Sequence, residues 1–500
     1  MILISDCEDL NVKVTQLGLN TSRANNEDIG VKKTVVCEHD AILECLAGQF
    51  EYKVIFNPPP RKVFTKLDNH QDTVGSLKRN NSNTEMSSAK KPKLSDPCET
   101  VPWFDSSDGE IVTEDDGRGG QWRKLADGKL YVRTMKNDEG SERIAAFDID
   151  GTIITTKSGR VFPLDEHDWQ ILYPEIPGKL KKLVADGFKL VFVTNQAGIA
   201  KGKLTIGQFS EKVQSIMKKL GVDAMVFVSV SDTGYYRKPR PGIWQWLEMK
   251  GNQGVTVNRD ASFYCGDAAG REKDFTPGKK KDFSCSDRLF AENLQLPFHT
   301  PEEYFLGHKP TKKFVRPFRP EPVAVENVSL LEPNVKLVPA SQTLTLMVGI
   351  QGSGKSGVAS MMEKEGVVVA SNDLSGGKDR TLKIVETALK NGQSVVVDNT
   401  HVDKDARRSY VELGLKFDIK VRCFVMKTEH DHAKHNNLFR EITDPSHARI
   451  KEPLFNQFRA RYQPPTKQEG FSEIINVNFV PDFKDNAILE NLYHMYLLEK

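Results

Sequence analysis

The sequence predicts an α/β protein, with two successive parallel-sheet domains behind a small β-rich segment. Three observations carry that expectation. From residue 143, short apolar runs alternate with stretches of helical period, the pattern of βαβ units. Each run ends in polar residues, and the carboxyl edge of an open α/β sheet is where ligands bind. From residue 343 the pattern restarts, with an apolar run feeding a glycine-rich loop. A chain of 500 residues has room for roughly three domains.

Composition excludes several classes. No window approaches the run of about 18 apolar residues that a membrane span needs, and the N-terminus lacks a secretory pattern. The seven cysteines are scattered without a C-x-x-C pair, which argues against a disulfide framework or thiolate zinc site. The net charge of +2 says nothing about partners, so any polyanion contact must come from local basic patches.

Residues 1–58 read as β structure. Val12 and Val14 alternate with Lys13 and Thr15, and Phe50, Tyr52, Val54 and Phe56 form a second alternating set. Turn residues Gly18, Asn20, Asn25 and Gly48 fall between them, and Asn57-Pro58-Pro59-Pro60 closes the segment. Gly18-Leu19-Asn20-Thr21 resembles the G-x-N-x turn of forkhead-associated (FHA) domains, so the segment resembles the C-terminal half of that fold. The resemblance implies phosphorylated repair scaffold proteins as partners, with the strands that grip phosphothreonine expected before Met1. Residues 59–142 are polar and read as a largely disordered linker. Within it, Ala89-Lys90-Lys91-Pro92-Lys93-Leu94 is a basic cluster of the kind that directs nuclear import. Gln121-Trp122-Arg123-Lys124-Leu125 and Leu130-Tyr131-Val132 return to apolar spacing near its end and are candidates to pack on the next domain.

Chemistry is densest at Ile144-Ala145-Ala146-Phe147-Asp148-Ile149-Asp150-Gly151-Thr152. Four apolar residues without helical period read as a buried strand. Residues two apart in an extended chain point to the same side, so Asp148 and Asp150 leave the strand tip together. Crowded carboxylates repel unless a cation or a shared proton sits between them. An ordinary Asp-Gly turn is the plainer explanation, but the later strands end in complementary groups. Leu190–Val193 runs into Thr194-Asn195-Gln196; Ala224–Val228 precedes Tyr236-Arg237-Lys238-Pro239; Ser262–Cys265 ends in Gly266-Asp267. The helix after the first strand is marked by Leu180, Leu183 and Val184, with Pro177 at its start and Gly187 past its end.

In order, these four groups resemble the motifs of haloacid dehalogenase-type (HAD-like) phosphatases, beginning with D-x-D-G-T. The resemblance implies a Rossmannoid phosphatase domain over 143–320. It makes Asp148 the nucleophile and a metal ligand. Asp150 becomes the acid and base and a further ligand, Thr194 the donor to a phosphoryl oxygen, and Lys238 the neutralising charge. Asp267 and a second acid would complete a Mg2+ site; Asp282 and Asp287 both qualify, and Asp287 is favoured. The short spacing from Asp150 to Thr194 to Lys238 leaves no room for a large covering domain, so the pocket is expected open to polymers. Nearby, Lys157, Arg160, Lys201, Lys203, Arg237, Arg240 and Lys279–Lys281 are candidates to track a phosphate backbone, with Tyr235, Tyr236 and Trp244 as stacking surfaces.

Residues 321–342 read as a linker, and 343–500 as a P-loop domain. Leu344–Val348 enters Gly349-Ile350-Gln351-Gly352-Ser353-Gly354-Lys355-Ser356. Gly349, Gly352 and Gly354 let backbone N–H groups face phosphate, Lys355 reaches the β- and γ-phosphates of ATP, and Ser356 holds Mg2+. Asp373, after the strand Val367–Ser371, is the candidate general base. Asp398 supports the metal or is a turn residue. His435-Asn436-Asn437-Leu438-Phe439-Arg440-Glu441 resembles a kinase lid, which would make Arg440 a phosphate clamp. His430, His432 and His435 lack the ligand set of a metal site.

Phosphatase before kinase, with Tyr173-Pro174-Glu175-Ile176-Pro177, Gly266-Asp267-Ala268-Ala269-Gly270-Arg271 and Asp282-Phe283-Ser284-Cys285, resembles the metazoan polynucleotide kinase 3′-phosphatases. The resemblance implies a nuclear, monomeric DNA end-processing enzyme acting on 3′-phosphate and 5′-hydroxyl ends. Two departures bear on the kinase: Ser371-Asn372-Asp373 stands where the family has N-R-D, and Leu438 replaces a common arginine. The alternatives are a fused pair of small-metabolite enzymes, a 3′-phosphatase with weak or absent kinase activity, and a non-catalytic scaffold.

Overall fold

The computed structural model describes residues 101–500 except 102, 137, 276, 277 and 323–327, together with the backbone of strands between residues 2 and 53. The chain forms two compact units, Met1–Ala89 and Lys90–Lys500.

The first unit carries β1 (Ile2–Ser5), β2 (Val12–Gln16), β3 (Ser22–Ala24), β4 (Glu27–Ile29), β5 (Thr34–Cys37), β6 (Ile42–Cys45) and β7 (Phe50–Lys53). They pair as two antiparallel sheets, ordered β1-β2-β5 and β4-β3-β6-β7. The alternating sets at Val12 and Phe50 begin β2 and β7. The Gly18–Thr21 turn, the prolines at 58–60 and the basic cluster at 89–94 lie outside the described residues.

The second unit opens with β8 (Glu110–Thr113), β9 (Gly120–Leu125) and β10 (Leu130–Met135), followed by β11 (Ile144–Phe147). A small hairpin, β12 (Ile154–Thr155) and β13 (Gln170–Ile171), precedes α1 (Ile176–Ala185) and β14 (Lys189–Asn195). Then come α2 (Ala197–Ala200), α3 (Ile206–Leu220), β15 (Met225–Ser229), α4 (Gly242–Trp246), β16 (Phe263–Cys265), α5 (Ser286–Leu294), β17 (Phe298–His299) and α6 (Pro301–Leu306). The sheet order is β17-β16-β11-β14-β15-β10-β9-β8.

Strands β11, β14, β15, β16 and β17 run parallel, and β10, β9 and β8 extend the sheet antiparallel. At the end of the range read as linker, Trp122, Leu130 and Val132 are buried in the cores of this α/β half. Their period-two burial gives one face to the core, which a disordered linker would lack.

Local signals set the helix ends. Thr205 caps α3 in a reciprocal pair with Gln208, and left-handed Gly221 ends it. Thr300 and Glu303 do the same for α6, with Pro301 in its first turn and Gly307 after it. Strand β11 is buried along its whole length, with β14 on one side and β16 on the other. The order in which strands are added therefore reverses at β11, and the crevice past its carboxyl end is where an open α/β sheet takes its ligand.

The five-stranded sheet of the C-terminal half repeats that logic. Its elements are β18 (Thr343–Val348), α7 (Lys355–Lys364), β19 (Val368–Ala370), α8 (Asn372–Ser375), α9 (Lys378–Lys390), β20 (Val395–Val397), α10 (Lys404–Lys416), β21 (Lys420–Met426), α11 (His430–Thr443), α12 (Glu452–Arg461), β22 (Glu473–Val477) and α13 (Ala487–Tyr493). All five strands are parallel, ordered β19-β20-β18-β21-β22, so the P-loop leaves the central strand at the switch point. Part of the expected linker also packs here. Leu331 is buried against this sheet, with Leu330, Val335, Leu337 and Val338 beside it.

The two α/β halves share apolar packing. Leu438 and Ile442 of α11, Leu492 of α13 and Leu497 belong to the same core as Ile243, Trp244, Leu247 and Phe290. Leu438 thus has a packing reason to be apolar where the resemblance led to an arginine.

Candidate active sites

Asp148 follows β11 directly and its side chain is almost buried. Its Oδ1 accepts from Lys238 Nζ at 2.7 Å, and the same ammonium donates to Asp287 Oδ1 at 2.7 Å, Val193 O at 2.8 Å and Tyr264 Oη at 2.9 Å. Asp148, Asp267 and Asp287 each bring a carboxylate oxygen within 4.8 Å of the others. Among the described residues no other trio of His, Cys, Asp or Glu gathers so closely, including His430, His432 and His435.

Glycines permit this crowding. A Cβ on Gly151, at φ +88°, would sit 2.5 Å from Asp267 Oδ2, and one on Gly266 would sit 2.4 Å from Asp287 Cγ. Ordinary contact begins nearer 3.5 Å, so no side chain fits at either place without moving a carboxylate.

Three carboxylates and one ammonium leave the cluster short of positive charge. Burial pushes Asp148 up to about 7; Lys238 pulls it down, while Asp287 and Asp150 push it further up. Burial also raises Asp267 well above its ordinary value, with Asp148 and Asp287 adding to it. Burial opposes the charge on Lys238, yet Asp148 and Asp287 outweigh it and hold its pKa above the usual lysine value. An all-oxygen donor set with uncompensated negative charge fits a hard divalent cation such as Mg2+.

The side chain of Asp150, expected beside the metal, has partners of its own. Its carboxylate lies apart from the trio and accepts from Gln196 Nε2 at 2.6 Å and Lys212 Nζ at 3.0 Å. At 43% side-chain exposure it faces the open crevice. Thr194 is buried beneath Gln196, whose Nε2 also donates to Thr194 Oγ1 at 2.9 Å. Asp287 rather than Asp282 enters the cluster: Asp282 is held by Arg271 Nε at 2.8 Å and by the backbone N–H groups of Ala269 and Arg271.

Several residues escaped sequence reasoning. Asn195 fixes the backbone of Lys238 from both sides, donating to its carbonyl and accepting from its N–H, each at 3.2 Å. Tyr264 donates to Asp287 Oδ1 at 3.2 Å. Lys212 lies on the buried face of α3 with Phe209, Val213 and Ile216; a lysine on an apolar stripe was the available signal. Arg237, Arg240, Tyr235, Tyr236 and Trp244 do not offer a DNA surface. Both arginines are paired inside the protein and the three aromatics are core residues. Lys157, Arg160, Lys201, Lys203 and Lys279–Lys281 are exposed.

At the second site, Lys355 is buried at the start of α7 and donates to Ile350 O at 2.8 Å. Burial lowers it to about 8, and Asp398 and Asp373 resist that shift. Ser356 is exposed beside it, and Asp373 is exposed in α8. The glycines again serve close approach. A Cβ on Gly352, at φ +78°, would sit 2.4 Å from Ala433 O, one on Gly354 would sit 2.8 Å from Phe479, and one on Gly349 would sit 2.7 Å from Ser353 Oγ. Asn436 Nδ2 donates to Gly352 O at 3.0 Å, tying α11 to the loop. Arg440 is exposed on α11. Asn372 is engaged locally: its Oδ1 accepts from Thr381 Oγ1 at 2.9 Å.

Residues 143–305 match the family model described as polynucleotide kinase 3 phosphatase, and residues 377–465 match one described as AAA domain. The bifunctional polynucleotide phosphatase/kinase of Schizosaccharomyces pombe is 34% identical over 361 residues, covering 71% of this chain and 85% of that one. The polynucleotide 3′-phosphatase ZDP of Arabidopsis thaliana is 37% identical over 188 residues, 34% of this chain and 26% of its own. The polynucleotide 3′-phosphatase of Saccharomyces cerevisiae is 26% identical over 233 residues, 35% of this chain and 93% of its own. With both sites in sequence and most of a two-activity relative covered, the chain belongs to the bifunctional polynucleotide phosphatase/kinase family.

Proposed function

We propose that the chain repairs DNA strand-break ends in the nucleus, removing a 3′-phosphate at the first site and phosphorylating a 5′-hydroxyl at the second. The observation that carries the first half is the trio Asp148, Asp267 and Asp287, two buried and Asp267 half-buried, with Lys238 bridging Asp148 and Asp287 beside a half-exposed Asp150.

Asp148 attacks the phosphorus of the terminal phosphate, and the P–O3′ bond breaks as the acyl-phosphate forms. Asp150 gives its proton to the leaving 3′-oxygen, then takes one from the water that cleaves the acyl-phosphate and restores Asp148. Gln196 and Lys212 hold Asp150 in place for both transfers. Lys238 offsets the charge of the phosphoryl group. Asp148, Asp267 and Asp287 would hold Mg2+, which when bound supplies electrostatic stabilisation of the phosphoryl oxygens.

At the second site, Lys355 and the loop N–H groups hold the ATP phosphates, Ser356 would hold Mg2+, and Asp373 accepts the proton of the 5′-hydroxyl. Arg440, exposed on α11, would clamp the transferring phosphate. The basic cluster at 89–94 supports nuclear import. The exposed basic residues Lys157, Arg160, Lys201, Lys203 and Lys279–Lys281 of the phosphatase half support a polyanionic substrate over a small metabolite.

An oligonucleotide nick bearing 3′-phosphate and 5′-hydroxyl, offered with Mg2+ and ATP, tests the assignment. Asp148→Ala removes only phosphate release, and Lys355→Ala removes only phosphate addition. Loss of both activities in either folded variant contradicts two separate sites, and faster turnover of sugar phosphates than of the nick contradicts the polymer.

A further inference from the structure

The segment after α13 leaves the kinase half and runs over the phosphatase half, where it meets the two loops that present Lys238 and Asp287. Glu499 touches both. Its carboxylate takes a two-pronged ion pair from Arg237, with Nε to Oε1 at 2.5 Å and the second amino group to Oε2 at 2.9 Å. Its backbone carbonyl accepts from Cys285 N at 3.1 Å and from Ser284 Oγ at 3.2 Å. Arg237 directly precedes Lys238, and Cys285 lies two residues before Asp287.

The neighbours of Glu499 repeat the pattern. Arg240 donates to Leu497 O at 3.0 Å while its Nε holds Gly234 O at 2.8 Å. Asn293 on α5 donates to Tyr496 O and to Pro239 O, each at 2.9 Å, and accepts from Tyr496 N at 2.9 Å. The segment is rooted at Tyr493, whose hydroxyl donates to Asn436 Oδ1 at 2.7 Å on α11.

We propose that Glu499 is a positioning residue for the phosphatase: it clamps the Lys238 loop to the Asp287 loop, so that an element of the kinase half completes the geometry of the phosphatase site. Lys238 serves Asp148 and Asp287 with bonds of 2.7 Å each, a distance that tolerates little drift. Asn195 fixes the Lys238 backbone from the β14 side; on the opposite side the partners of this loop are Glu499, Leu497 and Asn293. The ion pair is partly shielded, with side-chain exposures of 15% for Arg237 and 21% for Glu499, and two parallel bonds fix direction as well as distance. A misplacement of about 1 Å at a reacting group lowers rate by up to about a hundredfold.

The inference rests on the reading of Asp148 and Lys238 as the phosphatase centre, and the full-length chain tests the two separately. Glu499→Ala lowers phosphatase kcat about ten- to hundredfold with KM within about twofold, and kinase turnover stays within about twofold. Glu499→Gln, which keeps an oxygen to accept one bond, recovers part of the loss. Arg237→Ala added to Glu499→Ala costs little more than either alone, because the two act as one unit. Tryptophan fluorescence confirms that the variants are folded at the assay temperature. Wild-type kcat in Glu499→Ala, a rise in KM at unchanged kcat, full additivity with Arg237→Ala, or a parallel fall in kinase turnover overturns the proposal. Retained phosphatase activity in Asp148→Ala instead overturns the reading of the site, and the role given to Glu499 falls with it.

Discussion

Lys238 is the single buried cation among three carboxylates, so removing it should produce a charge imbalance that can be measured. Lys238→Met keeps the length and apolar character of the stem and deletes the ammonium. Breaking a buried ion pair from one side costs about 3–5 kcal/mol, because the opposite charge is left without a partner. That penalty can be relieved by proton uptake. Asp148 already stands at about 7 with Lys238 pulling it down, so in the variant it stands higher still.

A carboxylate whose folded pKa exceeds its unfolded value binds a proton only in the native state, so stability rises as pH falls. Between about pH 8.5 and pH 7 the variant gains this term and the wild type does not. At 1.36 kcal/mol per pH unit, the gap between them should narrow by about 2 kcal/mol over that interval. Below pH 7 the wild-type Asp148 takes up its own proton, and the gap levels off.

Urea unfolding followed by tryptophan fluorescence is the assay. All five tryptophans, at 103, 122, 169, 244 and 246, lie in the phosphatase half, so the signal reports that half and the core it shares with α11 and α13. A variant as stable as wild type at pH 8.5, or a gap that stays constant down to pH 7, would refute the claim that the carboxylates depend on this lysine.

Three further outcomes are expected. His401 and His435 are buried neutral, with burial lowering them to about 4 and about 3. The unfolded chain binds protons below about pH 6.5 and these native rings do not, so each should cost about 2 kcal/mol between pH 7 and pH 5. The readout is the pH slope of kinase-domain unfolding in wild type against His435→Gln, which cancels the opposite slope of the Asp148 cluster; equal slopes would contradict burial as the cause. Gly266→Ala drives a Cβ into Asp287 and should lower phosphatase turnover at least about a hundredfold, with kinase turnover unchanged; near-normal phosphatase rates would mean that Asp287 has room to move. Leu438→Arg places a guanidinium in apolar packing and should destabilise the shared core by several kcal/mol without raising kinase turnover; a more active, equally stable variant would show that the arginine was missed for chemistry rather than excluded by packing.

What could be read in advance divides by distance along the chain. The P-loop was legible because its chemistry sits in one contiguous stretch, and β11 because four apolar residues end in two acids. The separation of roles between those acids was not legible. Alternation places Asp148 and Asp150 on one side of a strand, but β11 ends at Phe147, so Asp150 lies beyond the strand and its carboxylate meets Gln196 and Lys212.

Asp287 over Asp282 depended on the first turn of α5 and on Arg271 capturing the alternative. The arginines at 237 and 240 looked like DNA contacts because local pattern reports charge and not partner. Glu499 lies 262 residues from Arg237, and no periodicity links positions so far apart. The same reasoning explains Tyr235, Tyr236 and Trp244: an aromatic beside a basic residue reads as a stacking surface until a second sheet's helices cover it. A long-range partner turns a charge into structure, and here that partner comes from the half of the chain that carries the other reaction. The phosphatase loop is therefore expected to respond to substitutions near residue 499 that leave every phosphatase motif untouched.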